Sequence, residues 1–313
     1  MDIETERRTI GLEDGRRAEI LAAGPPEGLP LVWHDGTPSR LVAYPPMVEA
    51  ASVRGLRTIL YSRPGYGGST PRPGRTVADV AGDVAAILDA LGADTFLTAG
   101  ASGGGPHALA CAALLPGRCL AAATVAGVAP RNAAGLDWLA GMGPENIEEF
   151  AAAETGPEAL TGFLTKAAGG LAEITGAEVA AGLGDLISAA DRAALTGDYA
   201  DFLAASFRAA LGSGIAGWHD DDLAFAGDWG FWFPAAAPLS AATLVRAGEP
   251  RVPVAIWQGD QDRMVPFAHG QWLARHVPGA RAHLVRGDGH LSLVRYRYGE
   301  ILDDLLHLAG IAA

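Results

Sequence analysis

The 313-residue sequence predicts an α/β fold: a mostly parallel sheet with helices on both faces, split by a helical insertion. Three observations carry this expectation. Short apolar runs alternate with segments of helical period from residue 29 to 130, and the alternation resumes near 252. In between, residues 131 to about 245 are rich in Ala and Gly, follow a helical pattern and contain no clear buried strand. Finally, a lone serine, Ser102, stands among glycines in "AGASGGGPHALA" (99–110), where a strand-like run gives way to a helix-like one.

Along the chain, residues 7–22 read as a β-hairpin about Asp14-Gly15, a pair that supplies the positive φ values a tight turn needs. Strands follow at 29–33, 56–61, 94–99 and 119–127. Apolar residues at 77, 80, 84, 87, 88 and 91 give helical spacing between the second and third of these. After the insertion come a strand in "VPVAIWQG" (252–259), a helix around 268–277, a strand at 281–286 and a last helix at 300–310. The expected organisation is a core formed by 1–130 and 246–313, with a helical cap at 131–245.

Composition narrows the function classes. The formal net charge is −13, and no basic cluster exceeds the pairs Arg7-Arg8 and Arg16-Arg17, so a nucleic-acid or anionic-membrane surface is not expected. Cys111 and Cys119 suit reduced, buried thiols better than a disulfide framework. The charged start "MDIETERRTI" does not read as a signal peptide, and no 18-residue apolar stretch reads as a membrane span. A cytoplasmic protein with a small-molecule substrate is the expectation.

Ser102 has Gly100 and Gly104 two places before and after it, the Gly-x-Ser-x-Gly pattern of a nucleophile elbow. A glycine-rich turn with a capping serine matches the same five residues. A hydroxyl is a poor nucleophile without a base, so the elbow demands a histidine oriented by a carboxylate, in the chain order Ser, acid, His. Of the five histidines after the insertion, His269 and His276 fall in a helical pattern, His283 in a strand and His307 in the last helix. His290, in "RGDGHLSL", is expected on a loop at the edge of the sheet where open α/β sheets bind ligands. The turn after the preceding strand offers Asp260 and Asp262; Asp262 is preferred because it lies further out and precedes the Val265-Pro266 that leads to the next helix. Two oxyanion donors are expected from the backbone N–H groups of Gly103, at a helix N-terminus, and Thr37, in "HDGTP". That loop is otherwise a simple turn.

Together these segments resemble the capped α/β-hydrolase fold serine hydrolases. "GASGGG" is similar to their elbow, "HDGTP" to their His-Gly oxyanion loop, "YSRPGYGGS" to their Asp-Arg-Pro-Gly-x-Gly-x-Ser stretch, "GDQDRMVP" to their acid turn and "GDGHLSL" to their His loop, all in the family's order. The resemblance implies an eight-stranded, mostly parallel sheet, no cofactor, and a triad of Ser102, Asp262 and His290. Two positions depart from the pattern: Asp35 stands where the family has the histidine before Gly36, with His34 one place earlier, and Ser62 stands where it has an aspartate. A carboxylate at 35 would oppose an oxyanion unless it points away or is paired. A serine nucleophile excludes the alkyl-ester chemistry of the family's dehalogenating and epoxide-opening branches.

The insertion is richest in aromatics at 218–233, where Trp218, Phe225 and Trp229, followed by Phe231, Trp232 and Phe233, are read either as an apolar pocket wall or as the insertion's own core. "HDDD" (219–222) reads as a solvated turn or helix cap and not as a metal site, and His107 as a packed residue behind the elbow. The expected function is a carboxylic-ester hydrolase working through an acyl-enzyme on a small, apolar substrate. Two alternatives remain at this stage: a non-hydrolytic or carbon–carbon bond-cleaving relative, and a ligand-binding receptor on the same scaffold.

Overall fold

The computed structural model describes residues 5–232 and 252–312. Eight strands form one sheet: β1 (Thr5–Gly11), β2 (Arg17–Ala23), β3 (Leu29–His34), β4 (Leu56–Tyr61), β5 (Phe96–Ala101), β6 (Cys119–Val125), β7 (Val254–Gly259) and β8 (Arg281–Val285). Their order is β1-β2-β4-β3-β5-β6-β7-β8. β1 and β2 pair antiparallel through the Asp14-Gly15 hairpin and β2 runs antiparallel to β4, whereas every later pair is parallel. The expected fold class is therefore the observed one.

Alternation along the strands sends side chains to two cores, because successive residues face opposite sides of a pleated sheet. Val32, Ile59 and Ile256 join one core with α2 (Val80–Ala90), α3 (Gly104–Leu114) and α10 (Phe267–His276). Their neighbours Leu31, Leu60 and Ala255 join the other with α1 (Pro45–Ser52) and α11 (His290–Leu308). Val84, Ile87 and Leu88 on α2 are fully buried, as their spacing requires, and each such burial contributes about 1.5–3 kcal/mol.

Among the described residues between β6 and β7 lie six α-helices: α4 (Pro144–Thr155), α5 (Pro157–Leu171), α6 (Gly176–Gly182), α7 (Ala189–Ala194), α8 (Gly197–Leu211) and α9 (Ala216–Ala226). They pack in two apolar clusters that also take in core residues, Tyr44 in one and Tyr66 in the other. Phe233 and the insertion's C-terminal stretch to residue 245 lie outside the described residues. Both cysteines are buried and unpaired. Among the described residues no helix is long and apolar enough to cross a membrane.

Two local expectations need correction. The last helix begins at His290, ten residues before the expected start, so His290 is the first residue of α11 and not a loop residue. "HDDD" lies inside α9 with Asp220, Asp221 and Asp222 buried, so it is neither a solvated turn nor a cap.

Candidate active site

Ser102 occupies the corner between β5 and α3 with φ +54°, a left-handed conformation that a non-glycine residue holds only when its surroundings enforce it. Its N–H donates to the Val125 carbonyl at 2.9 Å and its carbonyl accepts from the Gly105 N–H at 2.9 Å. The flanking glycines serve close approach. A Cβ on Gly100 would lie 2.1 Å from the Gly104 carbonyl oxygen, and one on Gly104 would lie 2.0 Å from that of His34. Strand and helix therefore cross at the serine with no room for a side chain on either side.

Opposite ends of the chain meet at this corner. Ser102, Gly103, Gly36, Thr37 and His290 line one cavity of about 450 Å³. His290 Nδ1 is 2.8 Å from Asp262 Oδ2. Asp262 is itself fixed: its Oδ1 accepts from the N–H groups of Met264 and Val265 at 2.9 and 2.8 Å, and its Oδ2 also accepts from Gln258 Nε2 at 2.9 Å. Asp260 faces elsewhere, accepting from the Gly287 N–H at 2.8 Å and pinning the turn to the loop after β8. Burial opposes charge on both partners of the His290–Asp262 pair. It lifts the Asp262 carboxyl above its ordinary range, while on His290 the Asp262 charge and hydrogen bond, helped by Asp191, outweigh it and raise the imidazole.

A residue that the sequence reading missed holds the start of α11. Asp191, on α7 of the insertion, accepts from the N–H groups of His290, Leu291 and Ser292 at 3.1, 2.8 and 2.9 Å. It thus acts as the N-cap of a helix 99 residues further along the chain, a position where a negative charge is favourable. Burial raises the Asp191 carboxyl, but these hydrogen bonds and the His290 charge prevail and lower it. The "Ser188-x-x-Asp191" capping box of α7 was the only signal in the sequence.

The loop bearing Thr37 is held by Arg63, which donates to the carbonyls of Asp35 and Gly36 at 2.6 and 2.7 Å and to Thr37 Oγ1 at 2.9 Å. Arg63 pairs in turn with Asp221 of α9 at 2.6 Å, and Asp221 also takes Arg75 at 2.8 Å, the Tyr66 hydroxyl at 2.9 Å and the Thr37 hydroxyl at 2.9 Å. Burial alone would raise the Asp221 carboxyl; the two guanidinium charges override it and hold it far below the ordinary range. A Cβ on Gly103 would lie 2.5 Å from Thr37 Oγ1, so the two loops touch beside Ser102.

The departures from the family pattern resolve differently. Asp35 lines the cavity, and burial pushes its carboxyl up to about 6 against the pull of Arg63 and hydrogen bonds from Trp33 and Ser39. His34 is buried within the sheet, its ring nitrogens 2.8 Å from the Tyr61 hydroxyl and 2.9 Å from Thr98 Oγ1, away from the cavity. At position 62 the missing carboxylate has a spatial substitute in Glu19 of β2, whose backbone carbonyl accepts from the Ser62 N–H at 2.9 Å and whose side chain takes Arg40 at 2.8 Å. His107 is packed behind the elbow, 2.9 Å from the Gly103 carbonyl, and burial pushes it down to about 3.

Of the three aromatics expected in a pocket wall, Trp218 and Phe225 line the cavity. Trp229 does not: α9 ends at Ala226, and the chain returns to the core, where the Trp229 carbonyl accepts from the Ala78 N–H at 2.8 Å and its ring is buried.

Residues 29–168 match a family model described as the alpha/beta hydrolase fold. A non-heme chloroperoxidase from Streptomyces lividans is 33% identical over 147 residues, 46% of this chain and 53% of that protein, so the match spans about half the length of that relative. Among solved structures, a bromoperoxidase from Bacillus anthracis is similar with a TM-score of 0.65 at 20% identity, covering 96% of this chain and 100% of that one. A carboxylesterase, CesB, from Bacillus subtilis has a TM-score of 0.63 at 20% identity, covering 99% and 94%. A thermophilic esterase from Thermogutta terrifontis has 0.64 at 17%, covering 97% and 99%. Identities this low speak for the fold alone.

Proposed function

From the α/β-hydrolase fold as premise, we propose that the chain is a serine hydrolase of carboxylic esters, working in the cytoplasm on a small and largely apolar molecule. The observation that carries this reading is the 2.8 Å contact of Asp262 with His290, which lines the same cavity as Ser102. Asp262 keeps the Nδ1 proton in place, leaving Nε2 of His290 free to take the hydroxyl proton of Ser102. Ser102 Oγ then attacks the ester carbonyl. The negative oxygen is held by the backbone N–H groups of Gly103 and Thr37, His290 passes its proton to the leaving alcohol, and water releases the acid by the same route. Residues 131–245 act as a cap that excludes water and shapes the pocket with Trp218 and Phe225.

The test is hydrolysis of p-nitrophenyl esters of increasing acyl length, alongside Ser102→Ala and a phosphonate probe followed by intact mass. Turnover should fall roughly 10⁴- to 10⁶-fold in the variant, and labelling should vanish with it. Turnover that persists in Ser102→Ala, or an unmodified parent protein, would remove the reading.

A further inference from the structure

Glu149 of α4 and Asp222 of α9 line the same cavity. Each carboxyl acts on the other electrostatically, and Trp218 Nε1 donates to Glu149 Oε1 at 2.6 Å. Asp222 is only 1% exposed, and its Oδ2 has no hydrogen-bond partner among the described residues. Among the charged and titratable groups that act on Asp222 are Glu149, Asp221, Arg75 and Tyr66. Arg75 and Tyr66 both bond to Asp221, as does Arg63, and no Lys or Arg among the described residues pairs with Glu149 or Asp222. Burial raises both carboxyls; the negative Glu149 and Asp221 push Asp222 further up, and Arg75 only partly opposes them. An acid pair in such a place holds a proton unless a cation replaces it.

We propose that the Glu149–Asp222 pair is a recognition site for a primary ammonium group, so that the preferred substrate is an ester carrying an amine on the portion that lies against α4 and α9. This deepens, and rests on, the reading of the cavity as an esterase site. The ammonium donates its N–H bonds to Asp222 Oδ2 and to Glu149, and the proton that the pair shared leaves to solvent, so the charge of the pocket is unchanged. Phe150, Trp218 and Phe225 line the same cavity, an aromatic surround of the kind that suits a cation. Because ammonium and proton compete for one site, binding tightens as pH rises through the titration of the pair.

Isosteric substrates test this directly: p-nitrophenyl esters of 3- and 4-(aminomethyl)benzoic acid against the corresponding ethylbenzoates, in the parent protein, Asp222→Asn and Glu149→Gln. At least one aminomethyl ester should have the higher kcat/KM in the parent, and its advantage over its ethyl counterpart should fall at least tenfold in each variant. Glu149→Gln carries the result if Asp222→Asn does not fold. In parallel, calorimetry with benzylammonium, in two buffers of different ionisation enthalpy, should show binding with release of about one proton, and that binding should be lost in the variants. The calorimetric arm needs no turnover: if no ester is hydrolysed but benzylammonium binds and expels a proton, the hydrolase reading fails and the ammonium site stands. Equal preference for amine and ethyl esters in the parent and both variants, or no benzylammonium binding to the folded parent, overturns the proposal.

Discussion

Asp35 is a cavity residue whose charge is set by its surroundings. Its carboxyl lies near 3.8 in the unfolded chain and is pushed up to about 6 in the folded one by burial beside the Ser102 cavity. The folded state therefore binds the proton more tightly, and stability is lost as pH rises from about 4 to 6. By the shift itself, the loss reaches about 3 kcal/mol above that window. Asp35→Asn should match the parent's stability near pH 3.5 and exceed it at pH 8; urea unfolding at the two values measures this. A difference that does not grow with pH would mean that Asp35 stays hydrated in the folded protein. The same position shows how far residue types alone reach. Ser102 and Asp262 stand out as candidates because each sits in a short glycine- or aspartate-marked turn at a strand end, and His290 because it directly follows such a turn. That Arg63 holds Asp35 back was not identifiable in this way, because Arg63 stands 28 residues further along the chain.

At the scale of elements, α11 is instructive. Its first residue is His290, and the residue before it is Gly289, which offers no capping side chain. The cap is supplied by Asp191 on α7, so the local sequence gives no start signal and the expected boundary fell ten residues late. A Cβ on Gly289 would lie 2.3 Å from Asp191 Oδ2, which explains why glycine stands there. Asp191→Asn should lower stability by about 1–2 kcal/mol through the weakened cap. The proposed base must be neutral to work, and His290 is raised above its ordinary value near 6.5, so the acid limb of the pH–rate profile should lie above that value. Because the Asp191 charge contributes to that rise, the limb should move to lower pH in Asp191→Asn. A limb that stays put in a folded, less stable variant would confine Asp191 to a structural role.

For the whole molecule, the decisive contact joins the insertion to the sheet. Asp221 of α9 binds Arg63 and Arg75 from the core, and Arg63 holds the loop of Thr37. Three aspartates in a row read as a solvated face when taken alone, and only the two arginines, 158 and 146 residues away, make burial of Asp221 tolerable. Breaking such a buried pair from one side leaves uncompensated charge. Asp221→Asn should therefore cost about 3–5 kcal/mol in urea unfolding and, in whatever fraction remains folded, reduce kcat more than KM rises, because the loop loses its anchor. A variant with parental stability and kcat would show that Arg63 holds the loop without help from the insertion.

What the sequence by itself determined was the periodic part. Apolar runs of period two, helical stripes of period 3.6 and glycine-marked corners specify strands, helices and the elbow locally, and the order Ser102, Asp262, His290 follows from where the corners lie. Tertiary structure alone decided the rest: the cap on α11, the burial of Asp220 to Asp222, and the exclusion of Trp229 from the cavity. Each of these depends on charges, donors or surfaces brought together from segments far apart in the chain, and no local periodicity encodes a partner that far away.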